Sequence, residues 1–324
     1  MKRNATRLMR LLVGCLVLLA PLAGCGGGTA AHSGSATPAH VPHQTGLSRS
    51  PSPMAKLLRN LGARQIYVMS GSDVLHASLG VLDSEGIRAA QVSPPIPLVS
   101  NIAGNGTAVV VGGAGVTPNS YTDGVYQIVG KRLITLARPA RAMYGPTIAL
   151  NGTVAAIHPE GGFSWRSARS GRWRTDARLQ STPLGSLTWN RANNAYALIR
   201  GGTQQAALVR IPKHGAVRQL NINVSCAISV LSAPTKSLVA TTVSGSRHEP
   251  AACRRARAQV LKPSHRGSPI LIPRGWNPIA WSADSSTLLL TRGTTVSTWK
   301  PGSSGLAGPY DLKTKTWMAA PIYE

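Results

Sequence analysis

An all-β chain built of six repeats is what the sequence predicts, and two observations carry that prediction. The first is the stretch Ile279 to Gly293, which reads as strand, turn, strand. A short apolar run ends at Trp281, turn chemistry fills Ser282 to Ser286, and a β-prone run follows from Thr287 to Thr291. Weaker copies recur upstream. The second is their spacing: aligned on the first strand, the anchors fall at Leu61, Ile102, Ile148, Leu187, Ile228 and Ile279, separated by 41, 46, 39, 41 and 51 residues. Such periods mark propeller blades. No helical stripe is evident after the N-terminal leader, and the apolar runs are short, as strands require.

Behind the anchors come second strands at Gln65 to Met69, Thr107 to Val111, Thr153 to Ile157, Ala195 to Ile199, Ser237 to Thr242 and Thr287 to Thr291. The turns between them use Gly, Asn, Ser and Asp, which tolerate left-handed backbone or bond their own backbone. Each repeat then holds a further hairpin: Val81 to Gly86, Tyr126 to Lys131, Trp165 to Trp173, Val209 to Gly215, Val260 to Gly267 and Tyr310 to Lys315. Four strands in each of six repeats predict a six-bladed β-propeller of four-stranded antiparallel blades. Its boundaries fall near 56–95, 96–140, 141–182, 183–221, 222–273 and 274–324. A seventh blade would need extra strands hidden in the long fifth repeat. Whether a terminal strand is exchanged to close the ring is open at this level. Trp189 and Trp281 stand two residues after their anchors, which suggests packing between blades with each N–H bonded; a sugar platform is the alternative.

Residues 1–24 form a secretory leader, with a basic start (Lys2, Arg3, Arg7, Arg10) and an apolar run from Leu11 to Ala20. That run is short for a membrane-spanning helix. Leu22-Ala23-Gly24-Cys25 follows and resembles the lipobox of bacterial lipoproteins. By that resemblance Cys25 becomes the acylated first residue of the mature chain, palmitate-type chains anchor it in the cell membrane, and the rest faces outside the cytoplasm. An ordinary leader with a bystander thiol is the plain alternative. Residues 25–55 are rich in Gly, Ser and Pro and read as a flexible tether. His32, His40 and His43 within it are taken as solvated, since no carboxylate or cysteine accompanies them.

The formal net charge is +25, or +21 once the leader is removed. Such an excess favours anionic surfaces, among them wall polymers and phospholipid, although an Arg-rich surface with no specific partner gives the same number. Export removes nucleic acid as a target. Trp165, Trp173 and Trp299 are candidates for exposed polymer contacts.

Trp281-Ser282-Ala283-Asp284-Ser285-Ser286 resembles the W-S-P-D-G signature of TolB-like and WD40-like propellers, and Leu187-Thr188-Trp189-Asn190 is a degraded copy. Joined to the lipobox, the layout is similar to the propeller part of actinobacterial LpqB-type lipoproteins. The signature departs from the family at Ala283 and Ser285, and the additional domain usual between anchor and propeller is replaced by the tether. The resemblance implies a monomeric platform for an envelope protein, such as a sensor or transport assembly.

Cys226 and Cys253 form an even pair in an exported domain and predict a disulfide closing a loop of about 27 residues, worth roughly 3 kcal/mol in a chain-entropy account. A zinc pair lacks the spacing. The insertion that carries Cys253 also carries Arg254, Arg255 and Arg257, a candidate anion-binding loop, with a solvated basic loop as the alternative reading. No hydrolase elbow, phosphate loop or zinc-protease motif is present, and the ten acids include no evident catalytic pair. The expected function is therefore a non-enzymatic, protein-binding scaffold without metal or cofactor. A binder or processing enzyme of anionic wall glycans and a small-molecule propeller enzyme are the alternatives.

Overall fold

The computed structural model describes residues 51–324 apart from 74–75, 97, 115–122, 139–142, 159–161, 180, 182, 201–205, 245–250, 252 and 265–266. The leader, Cys25 and most of the tether lie outside the described residues. One helix and twenty-four strands are described. The helix, α1 (Pro53–Leu61), precedes β1 (Ala63–Gly71), β2 (Ser78–Asp83) and β3 (Gly86–Ala89). The second blade is β4–β7 (Val99–Gly104, Val109–Ala114, Asp123–Val129, Arg132–Ala137), and the third is β8–β11 (Tyr144–Ile148, Val154–Ile157, Phe163–Arg166, Trp173–Asp176). The fourth is β12–β15 (Pro183–Trp189, Ala195–Arg200, Ala206–Ile211, Arg218–Gln219). The fifth is β16–β19 (Ala227–Ser232, Val239–Val243, Gln259–Leu261, Ile270–Leu271). The sixth is β20–β23 (Asn277–Trp281, Leu288–Arg292, Thr295–Trp299, Ala307–Asp311), after which β24 (Lys315–Tyr323) ends the chain.

These strands form six four-stranded antiparallel sheets, and the innermost strands β24, β4, β8, β12, β16 and β20 touch one another in a ring. The molecule is a six-bladed β-propeller. Its core sits between blades: Trp276, Trp281 and Leu288 pack with Ala240 and Val260 across the fifth and sixth, and Leu198 with Val230 and Val239 across the fourth and fifth. A single blade cannot cover both faces of its sheet, so each face is buried only by a neighbour.

Two features depart from the sequence reading. Leu61, taken as the first anchor, ends a helix. Ser52 caps α1 by accepting from the Ala55 amide at 3.1 Å, proline begins the helix, and Gly62 at φ 62° ends it. This combination of cap, N-terminal proline and C-terminal glycine is a helix signal in its own right. Leu57, Leu58 and Leu61 pack beside Ile279, Ala280 and Leu289. The inner strand of the first blade is instead β24, paired with β1 from Tyr323–Ala63 to Lys315–Gly71. The hairpin expected at Tyr310 to Lys315 is accordingly the connection between β23 and β24, and the sixth blade's third strand is Thr295–Trp299.

Trp281 shows what the equivalent tryptophans do. Its ring is buried, and its Nε1 donates to the Leu231 carbonyl of the preceding blade at 3.1 Å. Trp189 takes the same place, but its buried Nε1 has no partner among the described residues. Beside Trp281, Ser282 Oγ donates to Asp284 at 2.6 Å while accepting from the Thr287 amide at 2.9 Å. The Ser282 and Ser286 contacts hold the Asp284 carboxyl down to about 2.

Replacing Trp281 by Phe is expected to cost about 1–2 kcal/mol, the lost bond plus a stranded carbonyl, read as a lower thermal midpoint; an unchanged midpoint would show that the seam does not use this bond. Truncation before Lys315 removes the first blade's inner strand. Cooperative thermal unfolding by circular dichroism should then disappear.

Candidate functional site

Because all six innermost strands run the same way along the axis, their first residues gather at one mouth of a central channel. In every blade the pairing of the innermost strand with the next one slips near that mouth. Trp317 is the extra residue in β24, Ser100 in β4, Ile228 in β16 and Ile279 in β20; Gly145-Pro146 and Gly185–Leu187 contain the irregularities of β8 and β12. A bulge of this kind bends the strand and re-aims a side chain. Gly145 at φ 56° and Gly185 at φ 68° supply the left-handed backbone that two of these slips need.

The channel encloses a cavity of about 870 Å³, within the range of small-ligand sites. Ile102, Ile148, Leu187, Ile228 and Ile279, five of the six anchors read from the sequence, line it, with Trp317 and Met318 in the place assigned to Leu61. Ile228 and Trp317 remain 43% and 37% exposed, large for apolar side chains at bulged positions. Among the described lining residues the charged groups are Arg292 and Lys315, with no carboxylate. Arg292 lies over the Trp276 ring at 5.1 Å and Lys315 over Trp317 at 5.9 Å. Ser232 and Thr316, also in the lining, bury hydroxyls that have no partner among the described residues. Farther along the channel, the Tyr323 hydroxyl donates to the Trp281 carbonyl at 2.9 Å, and burial, followed by the nearby Asp284 charge, pushes its pKa up so that it stays a donor.

Cys226, next to β16 and its bulged Ile228, is bonded to Cys253, with Cα atoms 5.3 Å apart. This disulfide pins the long connection after β17 to the mouth side of the fifth blade. Of the three arginines expected to bind an anion there, Arg254 and Arg255 are exposed, but Arg257 is spent on structure. Its Nε and Nη2 donate to the Ile272 carbonyl at 3.0 and 2.8 Å. Arg257, also exposed, thus has part of its donor set engaged by the backbone. Other residues of the insertion, Arg247 to Glu249, lie outside the described residues.

The tryptophans proposed for polymer contact do not share a surface. Trp299 is in the core, donating to Ser303 O, and Trp173 is half-buried, donating to Leu136 O of the second blade. Trp165 is half-buried with Arg174 over its ring. Trp317, which the sequence reading passed over, is the exposed one. Its only sequence signal was its place in a strand read as the end of the sixth repeat.

Four aspartates are paired locally. Asp73 pairs with His76, Asp83 with Arg88, Asp176 with Arg178 and Asp311 with Lys313. Burial alone would raise the Asp176 carboxyl, but the Arg178 guanidinium and amide outweigh it and lower its pKa. Among the described residues no group of three His, Cys, Asp or Glu side chains is placed to hold a metal ion.

No protein-family model matches the chain, and no curated protein matches it in sequence. Solved structures do resemble it. A chain of a nidogen/laminin complex aligns with a TM-score of 0.57 at 13% identity, over 79% of this chain and 97% of that one. TolB from Acinetobacter baumannii aligns with a TM-score of 0.59 at 10% identity, over 83% and 70%. At such identities the likeness is one of fold, a TolB-like β-propeller.

Reduction of Cys226–Cys253 releases a loop spanning 27 residues. The oxidised protein should be more stable than the reduced one by about 3 kcal/mol, measured by denaturant unfolding with and without reductant; equal midpoints would make the bond dispensable.

Proposed function

We propose that the chain is an exported lipoprotein, anchored through Cys25, whose propeller is a binding platform for a protein of the cell envelope. The observation that carries this reading is the channel mouth. Exposed Ile228 and Trp317 stand there beside Arg292 and Lys315, and aromatic and arginine side chains are the types that dominate protein interfaces. The disulfide supports an oxidising compartment outside the cytoplasm. The nidogen/laminin complex shows that a chain of similar fold takes part in a complex between proteins, which supports this reading. The anchor rests on the Leu22-Ala23-Gly24-Cys25 motif.

A wall-polymer binder is the second reading. It keeps the charge as motive but loses the tryptophan platform, because Trp299 is buried.

Cross-linking in intact cells, detergent extraction in high salt and mass spectrometry decide between them, since salt strips contacts made by surface charge alone. One recurrent protein partner, lost in Trp317→Ala, is expected. Recovery of wall polymer alone would overturn the platform. Labelling with radioactive palmitate, abolished by Cys25→Ala, is expected for the anchor; an unlabelled wild-type chain would remove it.

A further inference from the structure

We infer that the central channel is a binding site for a single-chain amphiphile with an anionic head, the chain lying along the axis and the head held at the mouth by Arg292 and Lys315. The inference shares Ile228, Trp317, Arg292 and Lys315 with the protein-platform reading but concerns a ligand in the lumen, so it is tested without any protein partner.

Three observations converge on it. The first is shape. The cavity of about 870 Å³ follows innermost strands of five to nine residues, which at about 3.3 Å per residue span the length of an extended acyl chain. The second is the wall. Each innermost strand contributes an apolar side chain: Ile102, Ile148, Leu187, Val230, Ile279 and Met318. Exposed Ile228 and Trp317 continue this surface outward to the mouth. Ile102, Ile148, Leu187, Val230 and Ile279 are themselves only 2–6% exposed, so the apolar area facing water is chiefly that of Ile228 and Trp317, which gains free energy when a hydrocarbon chain covers it.

The third is charge. Arg292 ends β21 and Lys315 begins β24, so adjacent blades bring both to the same mouth. Neither has a carboxylate partner in the lining, and each is held over an aromatic ring. An arginine fork and a lysine ammonium with no carboxylate among the described lining residues suit a carboxylate or phosphate. Thr316, next to Lys315, adds a hydroxyl that is 3% exposed as a residue and lacks a partner among the described residues. A neutral hydrocarbon would leave this cationic end unused, and a small anion would leave Ile228 and Trp317 wet. One molecule carrying both halves satisfies the whole channel.

All described strands, and the pairing that closes the ring, lie within Pro53–Glu324, so the test uses residues 51–324 with the disulfide intact. Calorimetric titration with dodecanoate, 1-dodecanol, dodecyl phosphate and acetate separates head from chain and carboxylate from phosphate. Saturable one-to-one binding of dodecanoate or dodecyl phosphate that persists in high salt is expected, with 1-dodecanol and acetate much weaker. Arg292→Ala with Lys315→Ala should weaken the anionic amphiphile about tenfold or more. Ile228→Glu, at an exposed site in another blade, should abolish binding without lowering the thermal midpoint. Lys131→Ala with Arg132→Ala, on the outer hairpin of the second blade, should change nothing. The inference is overturned if no saturable binding occurs, if acetate or 1-dodecanol binds as well as dodecanoate, or if the Arg292/Lys315 and Ile228 variants bind like the parent.

Discussion

The pairing of β24 with β1 is the constraint on which the rest of this propeller depends. Strands of the other five blades are contiguous in sequence, so only the first sheet joins the two ends of the chain. Its nine-residue final strand is held by more than its ladder. The Tyr323 amide donates to the Gly106 carbonyl in the second blade, and its hydroxyl reaches the Trp281 carbonyl in the sixth. The Glu324 amide donates to Gly62 O, and Ala283 N to Leu61 O. One seam thus fastens α1, β1, β20 and β24 together. Gly106, at φ 93°, lies so close under the Tyr323 ring that a Cβ there would collide with it.

That seam also explains which parts of the fold were legible in the sequence. Local periodicity reported five anchors correctly, because Ile102, Ile148, Leu187, Ile228 and Ile279 each open a strand–turn–strand unit written in consecutive residues. The first anchor had no such unit to report. Its counterpart lies some 250 residues away in sequence, and a pattern that slides along the chain cannot see a pairing between its ends. Leu61 filled the vacancy because it is apolar and correctly spaced, although Ser52, Pro53 and Gly62 already spelled a helix. The slip propagated: with Lys315–Tyr323 assigned to the sixth repeat, the true third strand Thr295–Trp299 was passed over, and Trp299 was read as exposed.

The site was less legible than the fold, for a related reason. A bulge is a mismatch between two strands, and neither strand alone records it. Ile228 and Trp317 look like ordinary strand residues, yet the register slips from Ala227–Val243 to Ser229–Thr242 and from Met318–Met69 to Thr316–Ser70 leave each as the unpaired residue. The disulfide is the contrasting case. Two cysteines in an exported domain leave one pairing, and the fold brings them together.

Charge placement connects these points. With 35 basic and 10 acidic residues, the chain has few carboxylates to distribute, and several are held where they shape turns or pair with a close neighbour in sequence: Asp83 with Arg88, Asp176 with Arg178, Asp311 with Lys313, and Asp284 among serines. Such short-range pairs neutralise charge locally, and no carboxylate stands among the described residues that line the lumen. The lumen then has one sign of charge at its mouth and low-dielectric walls behind it, an arrangement that concentrates field on an entering anion. The Lys315 ammonium and the Arg292 guanidinium lie over the Trp317 and Trp276 rings, whose faces attract a cation. The same scarcity of acids that gives the surface its excess of positive charge therefore gives the channel its polarity.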